Sequence, residues 1–244
     1  MGCSSEKIDM KYPETKKDPV LENIFNKDIN DPYRWLEEFT SNEVSDWVEE
    51  QNKLSNKYLQ NDYQKEIKDS LEAIWISKDI SVPFRRGDKT FYYYSDGMQQ
   101  QAVLMMKGCD DCEAKILLDP NEFSSDGTIS LSEVSVSPQG DYLAYSVSDG
   151  GSDWRTWRVL DIATGKETDD LIEWSKFSYA VWESDSSGFY YQKYDKPDDE
   201  LSDINRSPQL FFHKIGDDQK EDKLVYKDSC LLYTSPSPRD FQVS

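Results

Sequence analysis

Residues 131–168 read LSEVSVSPQGDYLAYSVSDGGSDWRTWRVLDIATGKET, and this stretch decides the fold. Short runs of apolar, β-branched and aromatic residues are separated by polar turns, the first of which is SPQGD. Such runs predict β-strands, and Gly, Pro, Asp and Ser between them predict tight connections. The stretch therefore predicts four consecutive strands that pair with their neighbours along the chain.

A second stretch repeats this order with weak similarity in sequence. Residues 177–195 and 208–227 again contain a strand, a polar turn, an aromatic strand and two further strands. Gly140 and Gly188 occupy matching places in the two stretches. A four-stranded unit repeated at roughly 40–50 residues is typical of propeller blades. About three blades fit into residues 76–228, and because propellers close with about four to eight blades, we predict a partial β-propeller.

The chain before residue 76 has a different pattern. In DPYRWLEE, Asp31 can cap a helix and Pro32 can occupy its first turn. A helix restarts after Ser41, and residues 64–75 continue with an apolar stripe formed by Ile67, Leu71, Ile74 and Trp75. This segment therefore predicts two or three amphipathic helices whose apolar faces require a partner.

These patterns divide the chain into four segments. We expect a flexible tether at 1–18, a helical segment at 19–75, a partial propeller at 76–228 and a tail at 229–244. The tail breaks the strand rhythm with two prolines and reads as non-native sequence. The predicted fold class is therefore mainly β, and amphipathic helices precede the partial propeller along the chain.

The first residues, MGCSSEK, resemble the mature start of a bacterial lipoprotein, with Cys3 as a possible lipid anchor. That interpretation predicts a periplasmic or membrane-anchored protein. A plain polar terminus and a cytoplasmic location remain the alternatives.

The composition excludes several classes of partner. The net charge is −20, and no stripe of Lys and Arg is present that could follow a phosphate backbone, so nucleic acid is not an expected partner.

Cys109 and Cys112 lie in GCDDCEAK, which reads as the tip of a hairpin, and either a disulfide or two free thiols fit this place. A structural zinc site needs four ligands, so we predict no metal and no cofactor.

Serine catalysis depends on three side chains. It requires a nucleophilic Ser, a His that takes its proton and a carboxylate that orients the His. The sequence contains no G-x-S-x-G, and Ser152 in GGSDW reads as a turn residue. His213 is the only histidine and falls in the alternating strand PQLFFHKIG. We therefore predict no catalytic residue in this chain.

Several long blocks of the sequence resemble the prolyl oligopeptidase family. They are DPYRWLEE, WVEEQN, FYYYSDGMQQQAVL, LLDPNEFSSDGTISL, VSPQGDYLAYSVSDGGSDWRTWRV and WSKFSYAVWESDSSGFYY, in order from about Tyr12 to Lys227. The resemblance implies a serine peptidase that cleaves short peptides after proline. It also implies an α/β-hydrolase domain whose active site is capped by a seven-bladed propeller that gates substrate access.

The same resemblance implies what each part of this chain would do. The N-terminal helices would belong to the hydrolase domain, whose Ser/Asp/His triad lies C-terminal to the propeller in the family. We therefore expect an inactive N-terminal fragment of an enzyme that is a monomer when complete. A propeller Phe that lines the pocket for a residue upstream of the proline matches Phe177, in the block KFS followed by Trp182. The alternative role of Phe177 is packing within a blade.

A second hypothesis assigns the chain to a different class. It could be a standalone propeller that binds peptides or proteins, with the helices as a cap. Such a module would need a ring of blades that closes.

Overall fold

The computed structural model describes residues 11–198 and 207–227. Cys3 and the predicted tail 229–244 lie outside these residues. The chain divides into two compact units between Trp75 and Ile76, here called the helical unit and the sheet unit. No helix within the described part is long and apolar enough to cross a membrane.

The helical unit begins with a β-hairpin that the sequence analysis did not predict. Strand β1 (Val20–Ile24) pairs antiparallel with β2 (Lys27–Asp31). The two turn residues, Phe25 and Asn26, have φ angles of 51° and 60°. Left-handed conformations at both central positions match the twist of a two-residue hairpin. Asn favours this turn but Phe does not, so the sequence signal is weak.

The predicted helix start at Asp31 is wrong. Asp31 is the last residue of β2, and only a single 3₁₀ turn follows, at Arg34–Glu37. The Asp31 carboxylate accepts hydrogen bonds from the Tyr33 backbone N–H and from Arg34 Nε, both at 3.0 Å. The side chain therefore stabilises the bend between strand and turn rather than a helix N-terminus.

Two α-helices follow, as predicted. Helix α1 (Asn42–Leu59) is capped by Ser41, whose Oγ accepts a hydrogen bond from the Val44 N–H at 3.2 Å. Helix α2 (Asp62–Trp75) carries the predicted apolar stripe. Val44 is the only buried residue of the two helices. The amphipathic pattern is therefore real, but most of the stripe faces solvent.

The end of the predicted tether is attached to the helical unit. Trp47 Nε1 donates a hydrogen bond to Thr15 Oγ1 at 3.0 Å, and Trp35 Nε1 donates one to the Lys16 carbonyl at 3.1 Å. The two indole rings contact each other edge to face at 6.4 Å. Three distant parts of the segment thus meet at a pair of tryptophans.

The sheet unit consists of three antiparallel sheets, which confirms the partial propeller of about three blades. The first blade contains β3 (Asp79–Ile80), β4 (Phe84–Arg86), β5 (Lys89–Ser95), β6 (Val103–Lys107) and β7 (Lys115–Leu118). The second contains β8 (Ile129–Val136), β9 (Tyr142–Asp149), β10 (Arg155–Asp161) and β11 (Lys166–Ser175). The third contains β12 (Val181–Trp182), β13 (Gly188–Lys193), β14 (Gln209–Lys214) and β15 (Lys223–Lys227). The first blade has five strands rather than four because β3 and β4 both pair with β5.

The second blade is buried on both faces. Along β9, Leu143 and Tyr145 pack in one core with the first blade, whereas Ala144 packs in another core with the third blade. This alternation follows from the two-residue period of a strand. All three residues are fully buried, which explains why the quoted stretch is apolar on both faces of its central strand.

The two matched glycines occupy tight positions. Gly140 has a φ of 76° in the turn before β9, a conformation that side chains rarely adopt. Gly188 begins β13 opposite Lys214, and a Cβ at this position would lie 2.2 Å from the His213 carbonyl oxygen. The predicted match of these two glycines is nevertheless wrong. The Gly140 N–H donates to the Ser137 carbonyl, as the Ser186 N–H does to the Glu183 carbonyl, so the counterpart of Gly140 in the third blade is Ser186, with a φ of 61°.

Candidate functional site

Phe177 lies in a short connection between the second and third blades. Residues 174–178, the last two residues of β11 and the first three of this connection, are here called the crossover segment. Trp174 and Phe177 have φ angles of 61° and 49°, in the left-handed region. Large side chains in that region carry backbone strain, which persists only where surrounding contacts enforce it.

Hydrogen bonds to the end of β13 hold the crossover segment in this conformation. Ser175 Oγ donates to the Gln192 carbonyl at 2.7 Å, and the Gln192 N–H donates to Ser178 Oγ at 2.8 Å. The Tyr194 N–H donates to the Trp174 carbonyl at 2.9 Å. Both serines are buried, so their hydrogen bonds hold the backbone of the crossover segment in place.

The Phe177 ring projects away from this anchored backbone. Its side chain is 58% exposed, while the neighbouring Lys176 and Ser178 are buried. A protruding aromatic ring on a rigid backbone can contact a ligand at little cost in conformational entropy. The structure therefore puts Phe177 on the surface of the blade junction, and its role in substrate binding remains a prediction.

Aromatic and cationic side chains surround the crossover segment. The tryptophan–lysine cluster comprises Trp154, Trp174, Tyr194, Lys176 and Lys196. The Trp154 ring contacts Trp174 at 5.5 Å and Tyr194 at 6.3 Å, both edge to face. Lys176 Nζ lies 3.9 Å from the centre of the Trp154 ring, and Lys196 Nζ lies 5.3 Å from that of Trp174. No local sequence pattern indicates this cluster, because its members come from three separate segments.

Ser152 is a turn residue, as predicted. It lies in the connection between β9 and β10, where its N–H donates to the Asp149 carbonyl at 2.9 Å. Its Oγ accepts a hydrogen bond from the Trp154 N–H at 3.1 Å. Both contacts stabilise the turn locally.

His213 is a fully buried blade residue in β14, and its surroundings were not predicted. Nε2 lies 2.8 Å from Asp170 Oδ1, and Nδ1 lies 2.7 Å from Asp222 Oδ1. Burial alone would lower the pKa of His213, but the two hydrogen-bonded carboxylates outweigh it and raise the pKa to about 9. Since both ring nitrogens face acceptors, both donate, and the imidazole is protonated at neutral pH.

The hydrogen bonds of the protonated His213 connect the second and third blades. Asp170 belongs to β11 of the second blade and also accepts a hydrogen bond from the Gly216 N–H at 2.6 Å. Burial would raise the pKa of Asp170, but its bonds to His213 and neighbouring donors lower the pKa overall. The Tyr191 hydroxyl donates to Asp222 Oδ2 at 2.6 Å. The network is thus structural, and His213 has no free lone pair with which to take a proton from a serine.

The cysteine pair at the hairpin tip is oxidised. Cys109 and Cys112 form a disulfide in the connection between β6 and β7, with an S–S distance of 2.01 Å. Of the two alternatives left open by the sequence, the structure contains the bonded one. The disulfide closes the tip of the first blade and lies in a different blade from Phe177.

Comparisons with known proteins indicate one and the same family. Residues 12–234 match a family model described as the N-terminal beta-propeller domain of prolyl oligopeptidase. Prolyl endopeptidase from Elizabethkingia miricola is 40% identical over 219 residues, which cover 88% of this chain and 31% of that protein. The chain thus spans about a third of the length of this relative.

Solved structures agree with the sequence match. One, from a study of two prolyl endopeptidases and their inter-domain dynamics, superposes with a TM-score of 0.77 and 28% identity. The match covers 89% of this chain and 32% of the solved prolyl endopeptidase chain. A mutant of prolyl oligopeptidase B from Galerina marginata, bound to a 35mer hydrolysis and macrocyclization substrate, gives a TM-score of 0.70 and 29% identity. That match covers 89% of this chain and 34% of the other.

Proposed function

The chain belongs to the prolyl oligopeptidase family, and on this premise we propose that it is the substrate-admitting part of a serine peptidase that cleaves short peptides after proline. The partial propeller gates access and contributes a surface that contacts the peptide. Support comes from the relative named a prolyl endopeptidase and from the Galerina protein bound to a 35mer hydrolysis and macrocyclization substrate.

The exposed Phe177 ring carries this proposal. It is held by the strained, hydrogen-bonded crossover segment at the junction of two blades, and strained backbone concentrates at functional sites. We propose that the ring packs against a side chain upstream of the proline. Burying an exposed aromatic ring against a ligand stabilises binding by about 1.5–3 kcal/mol, so its removal should weaken binding at least tenfold.

The experiment compares Phe177→Ala with Phe25→Ala in the 244-residue chain. Phe25 is another exposed phenylalanine, even more open to solvent than Phe177, at the tip of the β1–β2 hairpin. Titration with an acetylated, amidated proline-containing tetrapeptide should show weaker binding only for Phe177→Ala. Equal affinity of both variants and the unchanged chain would remove Phe177 from the proposed site.

We further propose that the chain does not hydrolyse peptides by itself. Its only histidine is enclosed between two carboxylates, and the sequence has no G-x-S-x-G. The nucleophile and base would come from an α/β-hydrolase domain, which would also cover the exposed stripe of α2. A chromogenic prolyl substrate should therefore give no turnover above buffer. Turnover that a serine-directed reagent blocks would contradict the proposal.

A further inference from the structure

Lys176 is a buried cation, and within the described part of the chain it has no anionic partner. The residue is 8% exposed, yet its ammonium forms no hydrogen bond or ion pair with any residue in the described ranges 11–198 and 207–227. The ammonium lies over the Trp154 ring, at 3.9 Å from the ring centroid. Buried lysines are normally paired, so this ammonium is available to an anion that approaches the cluster.

The ammonium is not sealed inside the blade. In the described part of the chain, the one fully enclosed side-chain polar atom without a partner is Ser146 Oγ. Lys176 Nζ therefore retains contact with solvent, although most of its side chain is covered. A second ammonium, that of Lys196, lies over the neighbouring Trp174 ring. The tryptophan–lysine cluster thus holds two ammonium groups against indole rings on a chain with a net charge of −20.

The location of Lys176 suggests which anion it would bind. Its Cα lies about 3.8 Å from that of Phe177, since the two residues are consecutive. A peptide that packs a side chain on Phe177 can bring an adjacent side chain to the ammonium. A carboxylate is the anionic group that peptides carry, and it forms a charge-assisted hydrogen bond with Lys.

We propose that Lys176, held against Trp154, is a specificity-determining residue that binds the carboxylate of an acidic residue upstream of the proline. The inference rests on the proposed function, because it assumes that the peptide reaches Phe177. The Trp154 ring fixes the ammonium in place before binding, which lowers the entropic cost of the contact. The repulsion that a net charge of −20 exerts on an acidic peptide is offset locally by the two ammonium groups.

The test uses the 244-residue chain and two peptides, acetyl-Glu-Ala-Pro-amide and acetyl-Gln-Ala-Pro-amide. Tryptophan fluorescence should report roughly tenfold tighter binding of the Glu peptide at low salt, as expected for one hydrogen bond to a charged group. Lys176→Gln should abolish this preference, whereas Lys176→Arg should retain it. The control Lys166→Gln removes an exposed lysine at the start of β11 and should also retain it.

A measurement on the unchanged chain keeps the test independent of the variants' folding. Raising the salt concentration to 0.5 M, roughly, should reduce the Glu preference several-fold, because salt screens an accessible ion pair. Equal binding of the two peptides to the unchanged chain, or a preference that survives Lys176→Gln, would overturn the inference.

The proposed function fails by a different outcome. Phe177→Ala should weaken both peptides equally and preserve the Glu preference. If it does so while Lys176→Gln changes nothing, the site at Phe177 stands and the acidic specificity is wrong. If neither peptide binds the unchanged chain, both proposals are wrong for this chain.

Discussion

The helical unit and the sheet unit have equally regular apolar patterns, but only the sheet unit buries its pattern. In α2 no residue is buried, and Trp75 is 78% exposed. In the second blade Trp157 is fully buried between two sheets. Periodicity therefore predicts which element forms, whereas burial depends on whether a neighbouring element supplies a matching face.

The sheet unit supplies its own neighbours. Each blade exposes an apolar face that the next repeat of the sequence covers, so the second blade is enclosed by the first and the third. The helical unit has its tryptophan pair and Val44 as internal contacts, and its α2 stripe remains exposed. An exposed stripe of this kind marks an interaction surface.

The largest expected difference between the units is in the free energy of unfolding when one tryptophan of each is replaced by alanine. Trp157→Ala should lower the free energy of unfolding by about 3–5 kcal/mol, because it leaves a cavity and removes the hydrogen bond to Ser175 Oγ. Trp75→Ala should change it by less than about 0.5 kcal/mol, because the ring is mostly in solvent. Urea unfolding followed by circular dichroism measures both.

A large effect of Trp75→Ala would contradict the contrast between the units. It would mean that the α2 stripe is covered in solution by some part of the chain or by a second copy. Repeating the measurement at a tenfold lower protein concentration separates the two causes, since only self-association depends on concentration.

The buried His213 network predicts a pH dependence in the sheet unit. The pKa of His213 is about 9 in the folded chain and about 6.5 when unfolded, so between these values the folded state binds more protons. Stability from this group is fully present below about pH 6.5 and is lost as the pH rises through about 9. The loss should be on the order of 3 kcal/mol.

The measurement is urea unfolding at several pH values for the unchanged chain and for His213→Gln. The variant should be less stable at pH 6 and should lack the decline toward pH 9. Tyr191, whose pKa is raised by burial and then by Asp222, does not titrate in this window. A decline that persists in His213→Gln would assign the pH dependence to another group.

Much of the sheet unit could be predicted because its signals are local. Strand alternation and turn residues lie within a few positions of each other, so each blade is indicated by its own stretch of sequence. The α1 cap at Ser41 is equally local. The hairpin at 20–31 was missed because Phe25 occupies a position where turn statistics favour Asn or Gly.

The site was less predictable because it depends on contacts between distant residues. Phe177 was identified through the family resemblance, and no local pattern indicates that its ring is exposed. Lys176 meets Trp154 because Arg155 of β10 pairs with Ser175 of β11, and His213 meets Asp170 across two blades. Such pairings follow from the register of the sheets, which a single sequence does not specify.

A smaller loss of stability is expected at the start of α1, and it shows how little tertiary support the helical unit has. Ser41→Ala removes the acceptor for the Val44 N–H and should cost about 1 kcal/mol of helix stability. Ser45→Ala, one turn later, is the matched control, since its hydroxyl makes no capping bond and alanine favours helix. Helix α1 buries only Val44, so little packing compensates for the loss of the Ser41 cap. The far-ultraviolet helical signal of Ser41→Ala should therefore drop at low urea. The sheet unit should keep its own transition, and a shift of both transitions together would show that the two units unfold as one.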